Sequence, residues 1–441
     1  MVCSHMPVTL QGSTPSHPRE YVPGRHAHMT ERSGVADRLY GLLVRMFAVS
    51  PPLAIAGWDG SHAGASEGPT LRVHSRKAVR RLLWSPGELG LARAYVAGEL
   101  DIDGDLTDAI HQLAEFGALA NAKEGLDPAD RREVLRTAVL LGAVGAPPKP
   151  PLEEFVPGRD QGTEGRAVGA MTSDVDLIRA VLGDSLTYSC ARWDDAETLD
   201  DAQYAKLERI CDDLDIGEGS RLLDIGCGWG GLLLHAARHR GATAVGVVRS
   251  AERADVVRTQ VAQAGLESAV DVRLGGVADV DDGPYDAVTD IESLDQAPDY
   301  APDVRRLLSA GGRVLLQQLA LARSTPEDTA SFMRSYVYPS SPLTSLSTTL
   351  AAWEDAGLEL RSVESMREHY PPTARAWARN LDREWGRVRA AVGEQQARVW
   401  RLSLALAEVG FERGRVSVYQ ALAVRPQAHG GSGLASSQGS A

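Results

Sequence analysis

The sequence lacks any run of about 18 or more apolar residues, so it predicts no transmembrane helix. Its four cysteines follow neither metal-site nor disulfide-framework spacing, so we expect a reducing, cytoplasmic compartment and no bound metal. Residues 1–34 lack the continuous apolar segment of a secretory signal. A net charge of −13 argues against nonspecific nucleic-acid binding.

The 441 residues, of which 43% are hydrophobic, are enough for two or three globular domains. The clearest boundary is a proline-rich stretch, because prolines at 147, 148, 150, 151 and 157 disfavour regular structure. The predicted order is a disordered leader, a small α+β domain that is a candidate for lipid presentation, the proline-rich linker, a larger domain and a Gly/Ser tail. These five parts span 1–34, 35–145, 146–165, 166–425 and 426–441.

Beyond the linker, apolar strand patterns alternate with helical ones, which predicts a mostly parallel, doubly wound α/β sheet. Segment 323–410 is predicted to interrupt the sheet with polar, aromatic-rich helices before the final strand. The predicted strands are 221–225, 243–248, 269–274, 286–291, 312–319 and 414–423.

A glycine-rich turn follows the first of these strands. Asp224 ends the strand, and Gly226, Gly228 and Gly230 recur at every second position before a helix. This spacing differs from the dinucleotide fingerprint G-x-G-x-x-G, and an acid beside a pyrophosphate would repel it. An acid suits a ligand that carries an ammonium group, so the turn indicates S-adenosylmethionine.

Three segments carry a resemblance to a known family. Residues 186–193 read LTYSCARW, 223–232 read LDIGCGWGGL, and 332–346 read FMRSYVYPSSPLTSL. Together they resemble the cyclopropane-fatty-acyl-phospholipid synthase and mycolic-acid methyltransferase family, in its actinobacterial branch, over about residues 175–425. The resemblance implies a class I S-adenosylmethionine-dependent methyltransferase domain with a Rossmann-like sheet, preceded by the small α+β domain.

The family's chemistry implies methyl transfer to a carbon–carbon double bond of an unsaturated acyl chain, giving a cyclopropane or a methylene or methyl branch. A bound bicarbonate accepts the proton in that family. Its ligands carry over to Cys190, Asp295, Gln317 and Tyr370, with Asp295 in place of a glutamate and Gln317 in place of a histidine. Glu292, one helical turn before Asp295, is a second candidate for the acid.

The same resemblance places the cofactor along the glycine turn and the motif before it. Two family contacts to the adenosine end are replaced, one by Arg253 and one by Gly275–Gly276. The predicted cofactor-binding residues are Tyr188, Ser189, Asp224, Gly226, Gly228, Gly230 and Ser250.

Two other functions stay open from the sequence. The acceptor could be an alkene of specialised metabolism, or the chain could be a degenerate, non-catalytic homologue that binds a lipid or a partner. Basic residues between 72 and 81 make peripheral contact with the inner membrane face a further hypothesis. A homodimer is also a candidate state.

Overall fold

The structure, a computed structural model, describes residues 33–47, 49–120, 128–155, 174–293, 300–322, 332–337 and 343–431. Most of the predicted leader, the second half of the predicted linker and most of the predicted tail lie outside these ranges. No described helix is long and apolar enough to cross a membrane.

The N-terminal part is a four-stranded sheet with helices against it, in the order β2-β1-β3-β4. Its strands are β1 (Ala54–Ala56), β2 (His62–Ala63), β3 (Thr70–Val73) and β4 (Leu100–Asp103). Its helices are α1 (Val35–Phe47), α2 (Arg76–Trp84), α3 (Glu88–Val96), α4 (Leu106–Ala120) and α5 (Pro128–Leu140).

The C-terminal part is built on a seven-stranded sheet. Its strands are β5 (Arg221–Ile225), β6 (Thr243–Val248), β7 (Val270–Leu274), β8 (Tyr285–Ile291), β9 (Leu308–Leu321), β10 (Glu359–Ser365) and β11 (Val416–Val424). Its helices are α6 (Val175–Leu182), α7 (Leu199–Asp213), α8 (Gly231–Arg240), α9 (Ala251–Gln263), α10 (Ala301–Leu307), α11 (Leu346–Asp355), α12 (Tyr370–Arg383), α13 (Trp385–Val392) and α14 (Glu394–Glu412).

Strand order explains where a ligand can bind. The seven strands lie in the order β10-β11-β9-β8-β5-β6-β7. The five strands β5 to β9 are parallel to one another, whereas β11 pairs antiparallel with both β9 and β10. The chain turns back between β5 and β8, and such a switch point opens a crevice at the carboxyl ends of the strands. The predicted parallel, doubly wound sheet is therefore confirmed.

The helices predicted in segment 323–410 are present as α11 to α14, but the prediction missed a strand. Residues 359–365 form β10, an edge strand that pairs with β11. Its sequence, ELRSVES, is polar and largely exposed, so it lacks the apolar pattern by which the buried strands were recognised.

The two parts pack directly on each other. Arg398 of α14 is buried and donates hydrogen bonds to the carbonyl oxygens of Tyr95 and Leu100, and it pairs with Asp101. Glu154, within the predicted linker, pairs with Arg93 and accepts a hydrogen bond from Tyr336. The first half of the linker is therefore anchored, and the domain boundaries stay a prediction.

Candidate active site

The glycine turn after β5 depends on glycine for two different reasons. Gly226, Gly228 and Gly230 have φ angles of +68°, +54° and +85°, a region that favours residues without a Cβ. A Cβ on Gly226 would also lie 2.3 Å from the Cβ of Ser293, and one on Gly230 would lie 2.6 Å from Cγ1 of Val257. A Cβ on Gly228 would have no atom within 4 Å, so this peptide borders open space that a ligand can approach.

Asp224 lies at the carboxyl end of β5, next to this turn. Its side chain is buried and accepts a 2.7 Å hydrogen bond from the hydroxyl of Thr289 on β8. Burial raises the pKa of Asp224 to about 7, because a charged carboxylate is costly without water. A cationic group bound beside it would restore the charged form, which fits the predicted ammonium ligand.

Cys190 is completely buried and contributes its backbone rather than its thiol. The amide of Cys190 donates a 2.9 Å hydrogen bond to Oε1 of Glu292. Burial raises the pKa of the thiol well above its ordinary value. Cys190 therefore stays protonated and is a poor nucleophile.

Glu292 is the centre of the cluster. Besides the Cys190 amide, Oε1 accepts a 2.5 Å hydrogen bond from Nε2 of Gln317, and Oε2 lies 3.4 Å from the hydroxyl of Tyr370. Burial raises the pKa of this carboxyl. Glu292 also has a φ of +53°, a strained conformation for a residue with a Cβ, and such strain often marks functional positions.

The orientation of Gln317 is fixed by the neighbouring strand. Gln317 on β9 lies opposite Gln420 on β11, whose Nε2 donates a 2.9 Å hydrogen bond to Oε1 of Gln317. That bond turns the Gln317 amide nitrogen towards Glu292 and the carbonyl oxygen of Cys190. The pair of glutamines thus presents a donor, not an acceptor, to the carboxylate.

Lys206 is a component that the sequence analysis missed. It is one of four lysines in the chain, it is 1% exposed, and its Nζ donates a 2.8 Å hydrogen bond to Oγ of Ser189. Burial lowers its pKa to about 8, although the nearby carboxylates of Glu292 and Asp224 favour the charged form. Lysine, unlike arginine, can lose its charge in such a place.

Three aromatic rings, those of Tyr188, Trp377 and Tyr370, form a wall beside the cluster around Glu292. The rings of Tyr188 and Trp377 are 5.0 Å apart, and the ring of Tyr370 meets Trp377 edge-on at 6.3 Å. Together with Leu182 and Leu404, Tyr188 and Trp377 also line a mainly apolar cleft of about 20 Å³. An acyl chain that entered here would have to part these side chains.

Ser250, a predicted cofactor-binding residue, and Arg253, which replaces a family contact, both lie at the start of α9. Ser250 caps α9, since its hydroxyl accepts a hydrogen bond from the amide of Arg253. The guanidinium of Arg253 lies 5.5 Å from the ring centre of Trp229.

Among the predicted catalytic residues, Asp295 lies outside the described residues. The structure therefore brings Cys190, Gln317 and Tyr370 together around Glu292, the second candidate from the sequence.

Two signals in the sequence could have favoured Glu292 and Lys206. Glu292 directly follows β8, and side chains at the carboxyl ends of parallel strands face the ligand crevice. In Ala202-Gln203-Tyr204-Ala205-Lys206, lysine falls on the buried side of a helix in a chain that otherwise uses arginine for most of its positive charge.

A family model described as mycolic acid cyclopropane synthetase matches residues 171–421. A probable fatty acid methyltransferase of Mycobacterium tuberculosis is 32% identical over 408 residues, which cover 87% of this chain and 93% of that protein. A tuberculostearic acid methyltransferase of the same organism is 30% identical over 413 residues, covering 89% of this chain and 91% of that protein.

A solved structure shares the fold of the C-terminal part. It is a mycolic acid cyclopropane synthase complexed with S-adenosylhomocysteine (SAH) and CTAB. Its sequence is 26% identical, its TM-score is 0.53, and the match covers 57% of this chain and 94% of that one.

Proposed function

The chain belongs to the family of mycolic acid cyclopropane synthetases, and from that premise we propose that it transfers a methyl group from S-adenosylmethionine to a carbon–carbon double bond of an unsaturated acyl chain. The observation that carries this proposal is the buried carboxylate of Glu292, held by three donors beside an aromatic wall. Such a site suits a reaction that needs a base but no activated nucleophile from the protein.

The glycine turn and Asp224 fit the methionine end of the cofactor. S-adenosylmethionine, when bound, supplies an electrophilic methyl group on a sulfonium. Asp224 would bind the ammonium group as a carboxylate, and the open space next to Gly228 leaves room for the backbone to approach the ligand. Tyr188 and Ser189 lie on the segment that leads to Cys190, and Ser250 begins α9 at the carboxyl end of β6.

The aromatic wall suits the acceptor. When an alkene carbon takes the methyl group from the cofactor's sulfur, the methyl–sulfur bond breaks with its electron pair left on sulfur, and the other alkene carbon becomes positive. The faces of Tyr188, Tyr370 and Trp377 can stabilise a cation without forming a bond to it. An acyl chain seated in the mainly apolar cleft that Tyr188 and Trp377 line would displace water, which would otherwise add to the cation.

We assign the proton-accepting role to Glu292. A C–H bond of the transferred methyl breaks, its electron pair closes the ring, and the proton goes to Oε2, the oxygen with the longer contact. Burial raises the pKa of Glu292, which makes its carboxylate a stronger base. Oε1 already accepts two hydrogen bonds, which lowers its tendency to be alkylated.

Bicarbonate does not fit the described cluster. Cys190, Gln317 and Tyr370 are three of the four residues that the family resemblance assigns to the bound anion. Their donors, a backbone amide, a side-chain amide and a hydroxyl, all face the side chain of Glu292. The carboxylate of Glu292, like bicarbonate, is a planar anionic acceptor when it is ionised, and it already meets those donors. The proton acceptor of the proposed reaction is therefore Glu292 itself.

Product analysis tests the proposed function. The purified chain would be incubated with S-adenosylmethionine carrying a labelled methyl group and with detergent-dispersed oleoyl phosphatidylglycerol. Mass spectrometry should find a labelled CH₂ unit added to the acyl chain, and its fragments tell a ring from a branch. Cofactor binding with no labelled lipid would favour another alkene or the non-catalytic alternative.

Bicarbonate depletion gives a second expected result. Turnover in buffer freed of carbon dioxide should stay within about twofold of turnover in buffer with added bicarbonate, because the base is part of the chain. The measurement is the initial rate of labelled-lipid formation under argon with and without bicarbonate. A loss of about tenfold or more, restored by bicarbonate, would show that the family's anion is needed here as well.

Replacing Lys206 by methionine should shift the pH dependence of turnover. The ammonium lowers the pKa of both Glu292 and Asp224, so its removal should move the rising limb of the pH–rate profile to higher pH. Loss of one partner from a buried charged cluster should also lower the free energy of unfolding by about 3 kcal/mol. Urea unfolding measures the second effect.

The control for Lys206 lies on the same helix. Arg209→Met removes an exposed cation of α7 that pairs with Asp213, and it should leave the pH profile unchanged. A Lys206→Met protein that is less stable but has the wild-type profile would limit Lys206 to a structural role.

A cytoplasmic location and a homodimer stay predictions from the sequence.

A further inference from the structure

Exposed hydrophobic side chains are concentrated on the N-terminal part. Ten large hydrophobic side chains of the described residues are exposed, and seven of them belong to residues 83–152. We call these seven the apolar face: Leu83, Trp84, Leu135, Val139, Leu140, Val144 and Leu152. Single exposed hydrophobic residues are ordinary, but a contiguous group indicates an interaction surface.

Side-chain contacts show that the centre of this group is contiguous. Nε1 of Trp84, at the end of α2, donates a 3.0 Å hydrogen bond to the carbonyl oxygen of Gly145, next to Val144. One and two turns earlier on α2, the guanidinium groups of Arg80 and Arg76 lie against Gly145 and Gly142. The α2 helix therefore runs beside the segment that follows α5. Val139 and Leu140 are the last two residues of α5 and lead directly into that segment.

Trp84 has the character of an interfacial anchor. The polar edge of its indole is bonded within the protein, whereas 58% of the residue is exposed. Its remaining exposed surface is therefore mainly apolar ring. Tryptophan with one bonded and one apolar side is typical of the boundary between water and lipid.

Cations surround the apolar face although the chain as a whole is acidic. Arg76, Lys77 and Lys149 are exposed and Arg80 is half-buried, and none of the four forms an ion pair in the part of the chain that the structure describes. The neighbouring Arg81, in contrast, is buried and bonded to both oxygens of Glu99. The net charge of the whole chain is −13, so four unpaired cations in one place are a local feature.

We propose that the apolar face docks on a bilayer that contains anionic phospholipid. The side chains of Trp84, Val139 and Leu140 enter the headgroup boundary, and Arg76, Lys77 and Lys149 meet the phosphates. A surface that combines exposed tryptophan and aliphatic residues with unpaired cations matches anionic lipid better than it matches an acidic protein, which offers little apolar depth. The inference goes beyond the proposed reaction and does not require it.

Vesicle co-sedimentation of the full chain tests the proposal. Wild-type protein should sediment with vesicles of phosphatidylcholine and phosphatidylglycerol and much less with phosphatidylcholine alone. The triple variant Arg76→Gln, Lys77→Gln, Lys149→Gln should lose about a hundredfold in partitioning to the anionic vesicles. The triple variant Trp84→Ser, Val139→Ser, Leu140→Ser should lose binding to a similar degree.

The matched control is Leu274→Ser with Val363→Ser, two exposed hydrophobic residues outside the apolar face. It should bind vesicles like wild type, and circular dichroism should show that every variant is folded. Equal binding by control and face variants, or no wild-type binding to anionic vesicles, would overturn the proposal. So would a dimer in analytical ultracentrifugation that the face substitutions dissociate, because a second copy would then cover the face.

Turnover on detergent-dispersed lipid separates this proposal from the reaction itself. Docking is not needed when the substrate is dispersed, so the face variants should methylate it at the wild-type rate. Vesicle binding without any turnover would contradict the proposed reaction and leave the docking surface intact.

Discussion

Replacing Glu292 by glutamine should lower the rate of methyl transfer by a factor of about a hundred or more, the usual cost of removing a general base. Glutamine has the same shape, so it still fills the space between Cys190, Gln317 and Tyr370, but it cannot take up the proton. Cofactor affinity should stay within about twofold, because Asp224 and the glycine turn are unchanged. Initial rates of lipid labelling and calorimetric titration with SAH measure the two quantities.

Two further substitutions make this result specific. Glu364→Gln changes a half-buried glutamate of β10 that pairs with Arg192, and it should leave the rate unchanged. Asp295→Asn tests the acid that the sequence favoured. A large loss of rate in Asp295→Asn together with a wild-type rate in Glu292→Gln would return the role to Asp295.

Replacing Asp224 by asparagine should weaken SAH binding by about a hundredfold, because the ammonium group loses a buried charged partner. In the wild type, affinity should follow the charge of Asp224. With a pKa raised to about 7, the carboxylate is mostly protonated at pH 6 and mostly ionised at pH 7.5. Affinity should therefore rise about five- to tenfold between these pH values and then level off.

The asparagine variant should lose this pH dependence along with the affinity. Asp271→Asn, which changes an exposed aspartate of β7, is the matched control and should keep both. Affinity in Asp224→Asn equal to that of the wild type, or a wild-type protein whose affinity is flat across this pH range, would contradict the assignment of Asp224 to the cationic end of the ligand.

The fold was predictable where short-range pattern and burial agree. The bounds of β5 and β6 are those predicted, because the apolar run of β5 ends at a glycine-rich turn and that of β6 ends just before a serine that caps a helix. β10 was missed because an exposed edge strand has no apolar pattern. Local sequence thus predicted the other six strands of the sheet, including the edge strand β7, but not the edge strand β10.

The candidate site was less predictable, since its members meet only in three dimensions. Cys190, Gln317 and Tyr370 were found through motifs, but the choice between Glu292 and Asp295 depended on alignment with the family. Only the fold shows that the donors face Glu292. Lys206 lies in an ordinary amphipathic helix, and its burial beside two carboxylates cannot be read from its neighbours in the chain.

The position of β11 between β9 and β10 has a consequence for protein synthesis. Gln317 is held by Gln420, more than a hundred residues later in the chain, so the amide that faces Glu292 is not oriented until residues 416–424 have left the ribosome. Before then β9 has an open edge and β10 has no partner in the sheet. A nascent chain can therefore form the glycine turn early, whereas we expect the Gln317 amide to take its orientation towards Glu292 only when the last strand is inserted.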